Sequence, residues 1–187
     1  MEVFKLKGLG TLRNRLDVSR ARGFTRFIGR DNEMRLLDTA LERALGGEAQ
    51  IVGVVGEAGV GKSRLCAEFT EHCRARGVAV YEAHCVPHGE ALPFLPILQL
   101  FRSYFGIREN DPPAEARRHI AGMLLLLDER FRAALPLIFD FLGVPDPERP
   151  LPHMDPETRR RQLLAFTAEV VRARSAHEPA VARVDDL

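Results

Sequence analysis

Apolar residues recur along this chain at two different spacings, and each change of spacing marks an element. Within residues 27–47 (FIGRDNEMRLLDTALERALGG), Met34, Leu37, Leu41, Ala44 and Leu45 fall three or four positions apart. That spacing makes one stripe of an α-helix. Asp31 is the expected cap, its carboxylate accepting from free N–H groups of the first turn. Gly46 and Gly47 end the helix. Residues 50–55 (QIVGVV) are a short apolar run rich in β-branched side chains. Such a run suits a strand buried on both faces of a parallel sheet. A glycine-rich turn follows, then residues 62–77 (KSRLCAEFTEHCRARG), a second helix with Leu65, Cys66, Phe69 and Cys73 on its inner face and Gly77 as its stop. Residues 78–85 (VAVYEAHC) read as a second strand. Strand, turn, helix and strand make a βαβ unit.

From residue 93 to 174 the pattern is almost wholly helical. One apolar helix is interrupted at Pro96, the next enters through prolines in its first turn, and a third kinks or breaks at Pro136. A proline-rich polar loop leads to Asp155 as cap and Pro156 at the first position of a long helix. Leu163, Leu164, Thr167, Val170 and Val171 are its expected buried face. A short strand over residues 180–184 runs into Asp185 and Asp186. The fold class is therefore α/β, a parallel sheet core with a long helical insertion at about residues 93–175. Residues 1–23 read as a basic linker or arm and residues 24–187 as the domain.

Composition narrows this picture without changing it. At 187 residues, 45% hydrophobic and 28% charged, the chain is an ordinary globular one with enough length for a core. A net charge of +1 gives no global field for nucleic acid or acidic lipid. The first thirty residues are locally basic, which fits a solvated linker or an arm that touches phosphate or an acidic partner. No apolar run is long enough to span a bilayer, and charges stand where a secretory signal needs its apolar stretch. The expected setting is cytoplasmic. Cys66, Cys73 and Cys85 are odd in number and irregularly spaced, as befits reduced thiols. His84, Cys85 and His88 lie close together, but no second ligand pair with zinc-site spacing follows. A strand-end loop is the expected reading.

The chemistry concentrates at Gly56-Glu57-Ala58-Gly59-Val60-Gly61-Lys62-Ser63, which fits G-x-x-x-x-G-K-[ST] at every fixed position. A loop around a triphosphate turns successive N–H groups inward, using dihedrals that glycine adopts at least cost. The helix N-terminus adds partial positive charge. Lys62 is expected on the β- and γ-phosphates and Ser63 on Mg²⁺. The bland alternative, a turn that only joins strand to helix, leaves unexplained a lysine where positive charge is unfavourable without an anion. Asp185 is the candidate Mg²⁺-side carboxylate and Asp186 the one that polarises the attacking water. The alternative is a solvent-facing acidic tail. Arg183 is anomalous, since a buried arginine is costly unless paired.

Four stretches together (FIGRDNEMRLLDTAL, VVGEAGVGKSRLCAEF, HCVPHGEALPFLPI and DPETRRRQLLAFTAEV with EPAVARVDDL) resemble the AAA-like P-loop ATPase module of signal-transduction ATPases with numerous domains. That group includes cyclase-linked proteins and large transcriptional regulators. The resemblance covers about residues 24–187 and implies ATP and Mg²⁺ as ligands. It places Phe27, Ile28, Gly29 and Arg30 at the adenine, with core packing the alternative for Phe27 and Ile28. Residues 56–63 and Arg64 complete the nucleotide contacts. In that group a further strand inserts beside the P-loop strand, so the sheet is expected to be incomplete, truncated after the third core strand, and the chain a fragment, weak or inactive in hydrolysis.

Two functions follow from different classes. One is a nucleotide-dependent regulatory switch within a larger signalling protein, with a cyclase-like domain upstream, a repeat region downstream, or self-association. The other is a nucleotide-stabilised scaffold without significant hydrolysis. A nucleoside kinase is disfavoured, because no basic acceptor-site cluster follows the second strand. Direct nucleic-acid binding is not expected from this segment.

Overall fold

The computed structural model describes residues 27–85, 94–108 and 110–185. The chain divides after Glu71 into two compact units. The first contains α1 (Asp31–Leu45), the glycine-rich turn and the first turns of α2 (Lys62–Ala75). The second contains the end of α2, then β1 (Ala79–His84), α3 (Leu95–Tyr104), α4 (Pro113–Leu127), a 3-10 turn (Glu129–Ala134), α5 (Leu135–Phe141), α6 (Pro156–Ser175) and β2 (Ala180–Asp185).

In the first unit α1 buries Leu37 and Leu41 from the expected stripe. Its cap differs from expectation. Arg30 holds the N-cap position without a side-chain cap bond, and Asp31 is already the first helical residue. There the carboxylate still faces the positive end of the helix dipole. Residues 51–55 differ more. They form no strand, and Ile51 and Val55 are fully or nearly fully exposed. A strand exists only where a neighbour takes its backbone N–H and C=O groups, and among the described residues none pairs with this run.

The second unit holds the sheet and the main core. β1 and β2 are parallel neighbours, in register from Ala79↔Ala180 to His84↔Asp185. The sheet seen among the described residues therefore joins residues 79–84 to 180–185, not residues 50–55 to 78–85. Helices α3 to α6 fill the sequence between the two strands. Their core centres on Phe105, Ile120, Leu124 and Ile138, all with no exposed surface. Phe101, Phe131 and Phe166 tie α3, the 3-10 turn and α6 together, each ring 5.6 Å from Phe166. Such tilted and edge contacts suit the aromatic quadrupole. Tyr81 of β1 meets Tyr104 of α3 edge-on at 5.4 Å, which seats the helices on the sheet.

The helix boundaries follow local chemistry. Asp155 Oδ1 accepts from Thr158 N at 2.9 Å, capping α6 as expected. Pro96 does not interrupt a helix; it lies in the first turn of α3, where its missing N–H costs nothing. Pro136 likewise opens α5 and separates it from the 3-10 turn. On α6 the buried face is Leu163, Phe166 and Val170, while Leu164 and Val171 are exposed. The buried stripe includes Phe166, and at 3.6 residues per turn Leu164 and Val171 lie about 160° and 140° round the helix from it. On α2 the buried set is Leu65, Ala67, Thr70 and Cys73, with Cys66 and Phe69 only partly covered. Cys66, Cys73 and Cys85 are free thiols.

Candidate nucleotide-binding site

The turn between residues 56 and 62 is shaped by three glycines. Gly59 and Gly61 have φ of +84° and +90°, left-handed values that cost a residue with a Cβ roughly 1–2 kcal/mol. A Cβ on Gly56 would lie 3.2 Å from Val60 Cγ2, so a larger residue there would press on the Val60 side chain. Helix α2 starts directly at Lys62 with no acidic residue in its first turn. Leu65 N bonds Gly61 O at 2.9 Å, and the amides before it lie at the open, partly positive end of the helix. This donor set fits a polyphosphate.

Lys62 reaches back across the loop. Its Nζ donates to Gly56 O at 2.8 Å and to Glu57 O at 2.9 Å. The ammonium is thus held beside the loop that the sequence pairs it with. Ser63 is partly covered in the first turn of α2. Arg64, grouped with the nucleotide contacts on sequence grounds, makes an ion pair with Glu68 at 2.5 Å. Glu57, Ala58, Gly59, Val60 and Gly61 are exposed.

Upstream, Phe27 is half-buried and Ile28 exposed, so Ile28 is not a core residue. Gly29 has φ +80°. The Arg30 guanidinium forks: Nη1 donates to Glu33 Oε1 at 2.6 Å and Nη2 donates to Val60 O at 2.7 Å. Arg30 thereby joins the upstream box to the glycine turn. The Arg30 hydrogen bond also holds the Glu33 carboxyl below the usual carboxylate range, helped by Glu33's own backbone N–H. Glu33 was not singled out in the sequence, although its three-residue offset from Arg30 at a helix start is a legible pairing signal.

The acidic end of β2 lies in the second unit. Asp185 closes the ladder, its carbonyl accepting from Cys85 N at 2.9 Å. Arg183, only 8% exposed, pairs through both terminal nitrogens: Nη1 donates to Glu82 Oε1 at 3.1 Å and Nη2 to Asp185 Oδ2 at 2.5 Å, while its buried Nε has no acceptor among the described residues. Glu82 is the cross-strand neighbour of Arg183 and takes a second arginine, Arg74, at 2.7 Å. Two arginines and two carboxylates alternate, so the buried charge is neutralised. Asp186 and His88 lie outside the described residues. No cluster of three or more metal-ligating side chains occurs among the described residues, and none of their helices is long and apolar enough to cross a membrane.

A 71-residue stretch is 32% identical to a protein of Rhizobium meliloti (strain 1021) described as uncharacterized. It covers 38% of this chain and 7% of that protein, so the chain matches a small part of a far longer relative. No solved structure matches the chain. The family of the AAA ATPase domain matches residues 26–187. Proteins of this family have the α/β P-loop fold and bind ATP, typically with Mg²⁺. With the glycine turn, Lys62 and the parallel strands all inside that span, the chain belongs to the AAA ATPase domain family.

Proposed function

We propose that this chain is the ATP-binding module of a larger regulatory protein of the signal-transduction ATPase type, acting in the cytoplasm, in which nucleotide occupancy sets the arrangement of appended domains. One observation carries the reading: a turn with two left-handed glycines runs into a helix start that has a lysine and no acid. A positive group there is disfavoured by the helix dipole unless an anion is bound. The family supports ATP as that anion. The long relative, matched over only 7% of its length, supports a module within a multidomain chain.

In this reading residues 56–63 hold the phosphates, with the Lys62 ammonium moving from the Gly56 and Glu57 carbonyls to the β- and γ-phosphates. Phe27, Ile28 and Gly29 flank the adenine. The Ser63 hydroxyl would hold Mg²⁺, which would neutralise phosphate charge; Asp185 and Asp186 are the proposed carboxylates for the metal and for orienting water. Hydrolysis resets the switch. The scaffold alternative draws on the Arg183–Asp185 pair, because an arginine on Asp185 Oδ2 competes with a cation for that oxygen.

A titration with labelled ATP, with and without Mg²⁺, tests the reading. Lys62→Ala should weaken binding about ten- to hundredfold, the worth of one or two hydrogen bonds to charged groups. Equal affinity of wild type and variant would defeat it. Asp186→Asn then separates the alternatives: a switch keeps ATP bound and stops turning it over, whereas a scaffold shows no turnover to lose.

A further inference from the structure

We infer that Arg30 is a positioning residue for the phosphate loop, holding the Gly59-Val60-Gly61 peptides in their binding geometry from outside, with Glu33 orienting its guanidinium. This rests on the nucleotide-binding reading above but assigns Arg30 a different task from contact with the base.

Val60 lies between the two left-handed glycines, Gly59 and Gly61. Glycine has shallow conformational preferences, so a Gly-X-Gly segment does not hold one geometry by itself. Val60 is 42% exposed, and its side chain lies beside Gly56 of the same loop. Lys62 secures the other end of the turn through the carbonyls of Gly56 and Glu57. At the Val60 end the restraint is Arg30 Nη2, which donates to Val60 O at 2.7 Å.

Fixing that one oxygen fixes more than one atom. The peptide is planar and trans, so the Val60 carbonyl and the Gly61 N–H lie in one plane and point in opposite directions within it. Holding the carbonyl sets the direction of the Gly61 amide, one of the donors the phosphate reading requires. The backbone of Arg30 is itself placed, since its carbonyl accepts from Met34 N at 3.0 Å at the start of α1. Its fork is placed by Glu33 Oε1 at 2.6 Å. A planar guanidinium can serve two acceptors at fixed angles; an ammonium cannot.

Base contact and loop positioning give different results with a ligand that has no base. The full chain is titrated with ATP and with tripolyphosphate, for wild type, Arg30→Ala, Arg30→Lys and Glu33→Gln. Arg30→Ala should weaken both ligands by the same factor, about tenfold for one charge-assisted hydrogen bond. Arg30→Lys should restore part of the affinity, and Glu33→Gln should lose a smaller part. Loss of ATP affinity with tripolyphosphate unchanged would assign Arg30 to the base and overturn the inference, as would no change in either. Amide hydrogen exchange over residues 57–61, measured without ligand, decides independently of binding. Exchange should quicken in Arg30→Ala; unchanged exchange would also overturn the inference. A wild type that binds neither ligand would sink the nucleotide reading, while the exchange result would still settle the Arg30 tether.

Discussion

Residues 51–60 and residues 94–175 are both rich in apolar side chains, and they treat them in opposite ways. In the second, Phe105, Ile120, Leu124 and Ile138 are completely enclosed. In the first, Ile51, Val52, Val55 and Val60 are exposed. The difference lies in the backbone. A helix pairs its own N–H and C=O groups, so an apolar stripe is enough to bring it into a core. An extended run depends on a neighbour for those same bonds. Residues 79–84 have that neighbour in residues 180–185; residues 51–55 have none among the described residues. The phosphate loop is consequently held by a few named hydrogen bonds, from Lys62 and Arg30, while the helical core is held by packing.

The strongest way to break this comparison is a pair of truncations. Phe105→Ala should cost about 3–5 kcal/mol, the range for a large aromatic removed from a closed core. Val55→Ala, at a position 94% exposed, should stay within about 0.5 kcal/mol. Urea midpoints of the two variants check both. A cost at Val55 close to that at Phe105 would show that residues 51–55 are packed in solution.

The charge array on the sheet gives the next effect. Glu82→Ala removes the acceptor shared by Arg74 and Arg183 and leaves Arg183 with Asp185 alone. The expected loss is about 1–3 kcal/mol, the cost of stranding a hydrogen-bonding group in a buried setting. Arg74→Ala, at the more exposed end, should cost less than about 1 kcal/mol. Equal losses would mean that the burial of Arg183 is not what makes the array costly to break.

Acid titration should produce the smallest effect and bears on both regions. Backbone and hydroxyl donation from Thr158 lowers the Asp155 carboxyl, and the Arg30 hydrogen bond lowers that of Glu33. A carboxyl lowered on folding stabilises the fold fully above its unfolded value, 3.8 for Asp155 and 4.5 for Glu33. That stabilisation is lost as the pH falls through the folded value. Asp155→Ala should therefore flatten the acid limb of a thermal-midpoint profile, and Glu33→Gln should flatten the acid limb of loop exchange. Acid limbs parallel to wild type would show that neither carboxyl carries the expected linkage.

Much of this was legible because it was local. The entries of α4 and α6 follow from Pro113, Asp155 and Pro156, whose effects act within one turn. The glycine turn was readable because Gly59 and Gly61 occupy the left-handed region that their residue type permits. The partners were not legible. Arg183 looked like an objection to a buried strand until Glu82 appeared beside it, 101 residues away in sequence. Arg30 was placed at the base by resemblance, and only the folded turn brings Val60 O within 2.7 Å of it.

By itself, then, the sequence determined the proline and aspartate signals that open α4 and α6, the glycine turn that ends at Lys62, and that the family is that of the AAA ATPase domain. Those are properties of short segments, set by propensity, capping and the dihedral freedom of glycine. The tertiary structure alone decided that residues 51–55 form no strand although 79–84 and 180–185 do, which side of α6 is buried, and which acceptors Arg30 and Arg183 find. Each of these depends on what lies across a gap in sequence, where backbone pairing, packing volume and charge neutralisation are settled between groups that no local pattern connects.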